Sequence, residues 1–122
     1  MTAGPTEAMA AAARGEGFAI GYGGVARYDY APSVARAFVR AASVPVGAVV
    51  ANFPGVSASM QEVVAAIEAA APEIAGQISW EETALPFPAK VEMRALEDAI
   101  GPLSRPSLVD GIAETVTLFR RS

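Results

Sequence analysis

At 122 residues the chain is one domain's worth of polypeptide, enough for a modest core but not for two full domains. Nine Lys plus Arg against thirteen Asp plus Glu give a net charge of −4, and only Arg120-Arg121 cluster, so a nucleic-acid binder's electrostatic footprint is absent. With neither cysteine nor histidine, the sequence excludes disulfides, thiolate metal sites, cysteine nucleophiles and the commonest general base and metal ligand.

Hydrophobic residues make up 52% of the chain, and the mean hydropathy is +0.34. Much of this is alanine, which buries little area per residue, so the core is expected to be thin. The apolar excess fits either a surface that meets a partner or simply Ala-rich helices. No apolar run approaches the ~20 residues of a membrane span. The N-terminus carries Glu7 and lacks a charged region ahead of an apolar stretch, so it does not read as a signal peptide. A cytoplasmic protein is the expectation.

In chain order, Gly4-Pro5-Thr6 followed by EAMAAAAR predicts a helix, with proline in its first turn, Glu7 at the positive end of its dipole, and Gly15 and Gly17 as its stop. Phe18 to Tyr22 is a short strand, and Gly23-Gly24 turns the chain into a second strand, Arg27 to Tyr30. Pro32 opens a helix whose apolar positions Val34, Ala35, Phe38, Val39 and Ala42 recur at helical spacing, with Pro45 and Gly47 closing it. Ala48 to Phe53 is a continuous apolar run of the kind buried on both faces of a sheet, ended by Pro54-Gly55.

Ser59-Met60-Gln61-Glu62 fits a capping box, and Val63, Ala66, Ile67 and Ala70 form the stripe of the helix it opens, which Pro72 ends. Gln77 to Trp80 is a third strand, and Thr83 to Pro88, with two prolines, is irregular. Val91 to Ile100 carries Met93, Leu96 and Ile100 at helical spacing before Gly101-Pro102. A last helix starts at Ser107, with Leu108, Ile112, Val116 and Phe119 on one face and Arg120 and Arg121 at its negative end. Alternating short strands and helices predict a mixed α/β (α+β) unit of about five helices and three to four strands, one domain over 1–122.

Four segments carry a further reading: GPTEAMAAAARGE, GGVARYDYAPSVARAF, GAVVANFPGVSASMQEVVAAIEAA and LEDAIGPLSRPSLVDGIAETVTLFR. Their order resembles the C-terminal, substrate-binding lobe of the extended short-chain dehydrogenase/reductases, the NAD-dependent epimerase/dehydratase family. That resemblance implies NAD(P) as the cofactor of the intact family, held by a nucleotide-binding half. It also implies a nucleotide sugar or another small molecule as substrate.

The chain departs from the family at the chemistry. Gly21-Tyr22-Gly23-Gly24 lies between two strands, whereas the family's glycine loop opens a helix onto the pyrophosphate. The family's catalytic tyrosine is followed four residues later by a lysine. Tyr22, Tyr28 and Tyr30 are followed there by Ala26, Pro32 and Val34, and the only lysine is Lys90. No catalytic, cofactor-binding or metal residue is therefore assigned in this chain. Ser33 stands where the family usually has an aspartate, and serine too can cap a helix.

Arg27 sits one residue out of register with an arginine that the family's sugar-nucleotide epimerases place against a phosphate, so it faces either a ligand or solvent. Arg27, Tyr28, Tyr30 and Trp80 are the substrate-binding candidates. Trp80, Phe53 and Phe87 line either a ring-binding pocket or the core. Glu81 and Glu82 are adjacent on a strand end and point opposite ways, and Asp29 falls on the opposite face from its flanking tyrosines.

Three roles remain open: a substrate-binding lobe inactive alone, an oligomeric ligand-binding or protein-interaction domain, and half of a split enzyme completed by a separate nucleotide-binding chain. In the intact family the strand Ala48 to Phe53 and the first helix would pack on the nucleotide-binding half. Each ~100 Å² of apolar area left bare costs about 2.5 kcal/mol. A homo-oligomer is expected to hide it.

Overall fold

The computed structural model describes residues 3–44, 47–88 and 90–122. Among them are five α-helices and four short strands, a mixed α/β fold. The order is α1 (Gly4–Ala13), β1 (Phe18–Ile20), β2 (Val25–Tyr28), α2 (Ala31–Ser43), β3 (Val56–Ser59), α3 (Met60–Ala70), a 3-10 turn (Pro72–Ile74), β4 (Ile78–Trp80), α4 (Arg94–Ile100) and α5 (Leu108–Arg121).

The strands form two separate pairs. β1 runs parallel to β4, with Phe18 opposite Ile78 and Ile20 opposite Trp80, an arrangement that needs a long crossover between the two. β2 runs antiparallel to β3, with Val25 opposite Ser59 and Tyr28 opposite Val56. Gly24, at φ 75°, turns the chain between β1 and β2, in a conformation that a residue with a Cβ adopts at a cost.

The core lies between α1, α3 and α5, with β1 and β4 at its edge. Ala8, Ala12, Ile67 and Ile74 are wholly buried, and Ile20, Met60, Val63 and Val116 nearly so. Alanines on α1 let neighbouring backbones approach closely. Gly4 is the extreme case, since a Cβ there would lie 2.8 Å from Ile20 Cγ2.

Local signals set the helix ends. The Ser59 amide donates to Glu62 Oε2 at 2.7 Å, while the Glu62 amide donates to Ser59 Oγ at 3.2 Å, completing the capping box. Those bonds hold the Glu62 carboxyl below its ordinary pKa. Ser107 Oγ accepts from the Asp110 amide at 3.1 Å and caps α5. Glu92 does the same for α4, accepting from the Arg94 amide at 2.6 Å, so that helix begins at Arg94 rather than near Val91.

Two expectations are overturned. Residues 48–53 form no strand: Val49 and Val50 are 52% and 99% exposed, and β2 takes Val56–Ser59 as its partner instead. An apolar run becomes a buried strand only where a neighbouring strand accepts its backbone, and none does here. Helix α2 starts at Ala31, so Ser33 is not its cap; Ser33 lies buried in the first turn and accepts from Arg36 Nη2 at 2.9 Å. The helix ends at Ser43, and Pro45, expected to close it, lies outside the described residues.

Helix α2 also presents its apolar stripe outward. Phe38 and Val39 are each 74% exposed, while the small residues Ser33 and Ala37 face the protein.

Candidate functional site

The strand β2, residues 52–53, and Leu85, Phe87, Pro88 and Val91 enclose a cleft of about 460 Å³. Its polar groups come from Tyr22, Arg27, Tyr28, Asp29 and Asn52, and its apolar walls from Phe53, Leu85, Phe87 and Val91. The volume falls in the ~300–1,000 Å³ range of small-molecule sites, and the mixture of aromatic walls with a few polar groups is typical of them.

Each polar group is fixed by its own element. Arg27 lies on β2 opposite Ser57, and its Nη2 donates to the Phe53 carbonyl. That bond anchors the guanidinium, while its Nε is buried without a hydrogen-bond partner. The Tyr28 hydroxyl is likewise buried and unpartnered. Buried donors left unpaired are costly. Asn52 Nδ2 donates to the Glu92 carbonyl at 3.1 Å and ties the 90–93 stretch to the cleft mouth.

The tyrosines here are donors rather than bases. Burial, and then the neighbouring Tyr22, push Tyr28 up to about 12, and burial raises Tyr22 as well. A tyrosine that moves protons at neutral pH needs a lowered pKa, which a nearby lysine commonly supplies. Lys90 is exposed and does not line the cleft.

The four sequence candidates separate. Arg27 and Tyr28 share the cleft, joined by Phe53 and Phe87. Tyr30 does not lie there, because β2 ends at Tyr28 and Tyr30 stands at the N-cap of α2, where the period of two no longer applies. Its ring packs against Gly111 of α5 and lines a second, largely apolar cavity of about 450 Å³ between α1 and α5, which Tyr28 and Phe53 also line. The Tyr30 hydroxyl is buried short of hydrogen-bond geometry. Even so, Glu114, an acceptor beside it, raises its pKa ahead of burial, with Arg36 opposing. Trp80 is half-buried on β4 with its ring edge against Gly23, outside the cleft.

Sequence reading weighed Tyr22 only in the glycine turn and as a catalytic tyrosine, and gave Asn52 no role. Their place depends on contacts between distant segments, and only the polar asparagine inside the apolar run 48–53 hinted at a role. Asp29, Glu81 and Glu82 are exposed, each just past the end of its strand.

The Gly21–Gly24 turn does not fit the pyrophosphate of NAD(P). A dinucleotide's pyrophosphate needs free amides at a helix N-terminus. Here the Gly23 amide donates to the Thr83 carbonyl at 2.9 Å, and the next helix begins only at Ala31. Among the described residues no cluster of three or more acidic side chains could hold a metal ion, and no helix is long and apolar enough to cross a membrane. No family model matches the chain, and no curated protein matches it.

Proposed function

We propose that the chain is the substrate-binding lobe of an NAD(P)-dependent epimerase/dehydratase-like oxidoreductase, acting in the cytoplasm and catalytically incomplete alone. The observation that carries this reading is that Arg27 and Tyr28 line one cleft, while the Arg27 Nε and the Tyr28 hydroxyl are buried with no hydrogen-bond partner among the described residues. A guanidinium held by one of its amines suits a phosphate oxygen. A phenol kept protonated suits a hydroxyl or a second phosphate oxygen, and Phe53 and Phe87 suit a flat or sugar ring. A nucleotide sugar carries all of these groups.

NAD(P) and the tyrosine–lysine pair belong to a nucleotide-binding part, supplied by another stretch of polypeptide or by a separate chain. The outward stripe of α2 supports such a junction. Its Phe38 and Val39 lie beside Arg36 and Arg40 on a helix with no carboxylate, although the chain as a whole is acidic. A partner surface with apolar and acidic groups would complement it.

Thermal shift against NAD and a panel of nucleotide sugars tests the reading. A nucleotide sugar should raise Tm, NAD should leave it unchanged, and Arg27→Gln should remove the shift. If no nucleotide sugar moves Tm, the ligand reading fails. An open reading frame encoding a Gly-x-x-Gly-x-x-Gly segment, in frame upstream or in a neighbouring gene, would supply the nucleotide-binding part.

A further inference from the structure

Among the described residues β1 pairs with β4 alone, which leaves one edge free, and its hydrogen bonds define which residues face that edge. The Phe18 amide donates to the Gln77 carbonyl at 3.1 Å, and the Ile20 carbonyl accepts from the Glu81 amide at 3.0 Å. Phe18 and Ile20 therefore turn their backbone groups toward β4, and by alternation Gly17, Ala19 and Gly21 turn theirs away. All three are exposed, and a Cβ on Gly21 would stand in open space.

Natural edges are guarded by proline, charge or a bulge. Gly17 to Gly21 carries none of these. A parallel pair of strands is also marginal by itself, since independent stability takes three or more strands or a covering helix, and α1 covers only the face that holds Ile20.

The geometry points to a second copy of this chain as the occupant, with β1 antiparallel to β1 of its partner and Ala19 on the two-fold axis. The sequence Gly17-Phe18-Ala19-Ile20-Gly21 reads nearly the same in both directions. A two-fold axis at Ala19 therefore sets glycine opposite glycine and Phe18 opposite the partner's Ile20. The two Ala19 residues then exchange both their N–H···O bonds, as a hydrogen-bonded antiparallel pair does. The small residues leave backbone approach unobstructed. The product is a four-stranded sheet, β4-β1-β1-β4, with closed symmetry. This inference stands apart from the ligand reading, because none of these residues lines the Arg27 cleft.

Light scattering at micromolar concentration tests it. The wild-type chain should run at twice its 12.5 kDa mass. Ala19→Pro should be monomeric with an unchanged far-UV spectrum, since proline deletes an amide that faces away from β4 and has no partner among the described residues. Gly21→Lys places a charge on the edge without touching the fold and should weaken the dimer about tenfold or more, a change of ~1.4 kcal/mol; it decides the matter should the proline variant misfold. A monomeric wild type overturns the proposal. So does a dimer that keeps its affinity in Gly21→Lys, or one that dissociates on Phe38→Ser instead, which would place the interface on α2.

Discussion

Tyr28 shows how little a residue's chemistry follows from its type. The same side chain that a dehydrogenase would use as a proton donor is here pushed up to about 12 by burial and by Tyr22. The unfolded chain ionises this phenol near pH 10, and the folded chain holds its proton until about 12. Below pH 10 both states are protonated and the group is silent. Between pH 10 and 12 the unfolded state alone loses the proton, so stability falls as pH rises through that window. Urea midpoints measured from pH 8 to 12 should decline more steeply for the wild type than for Tyr28→Phe above pH 10, and should run parallel below it. Equal slopes throughout would mean that the hydroxyl is solvated and that the cleft lacks the dry wall proposed for it. Arg27 completes the local picture, because its bond to Phe53 holds it in place whether or not a ligand is present.

Among the elements, α2 separates what is local from what is not. Its existence follows from Pro32 and from apolar spacing, but which face it buries does not, since Phe38 and Val39 of the stripe turn to solvent. Phe38→Ser and Val39→Ser should therefore change unfolding free energy by no more than ~0.5 kcal/mol, as surface substitutions do. Ala37→Asp, on the small inward face, should cost more than ~1 kcal/mol by burying a charge. If chemical denaturation gives the reverse order, the stripe is packed and the helix is rotated. The same distinction governs how much could be read from the residues. The capping box at Ser59 and Glu62, the cap at Ser107 and the strand near Trp80 were legible because short-range bonds and local spacing specify them. The run 48–53 was misread because burial is a property of neighbours, and its hydropathy says nothing of whether a neighbour exists. At the site, Arg27 was singled out by the family resemblance and Tyr28 by the aromatic segment around it, whereas alternation along β2 would have set these neighbours on opposite faces. The place of Tyr30 was not legible, because a helix starting one residue later redirects it, and that of Asn52 was not, because its partner Glu92 lies forty residues away.

For the whole molecule, the arrangement of layers decides where stability resides. Neither strand pair exceeds four residues a side, so the pairs contribute little alone. What unites them is the helical core, in which Ile67 of α3, wholly buried, belongs with Ala8 and Ala12 of α1, Val116 of α5 and Ile20 of β1. Small alanines hold that core close but fill it thinly, so each large side chain bears a larger share of the buried area. Ile67→Ala should then cost about 2–5 kcal/mol, a large fraction of the ~5–15 kcal/mol typical of a domain. Val50→Ala, at a fully exposed position, should stay within ~0.5 kcal/mol. Urea unfolding at one fixed protein concentration measures both, which keeps self-association from entering the comparison. The Ile67 variant should shift the midpoint with an unchanged slope, the mark of a lost contact rather than a looser native state. A loss under ~1 kcal/mol would mean that α1, α3 and α5 do not share one core. The cleft beside Arg27 would then rest on β2 and β3 alone, too slight a support to hold two unpaired buried donors ready for a ligand.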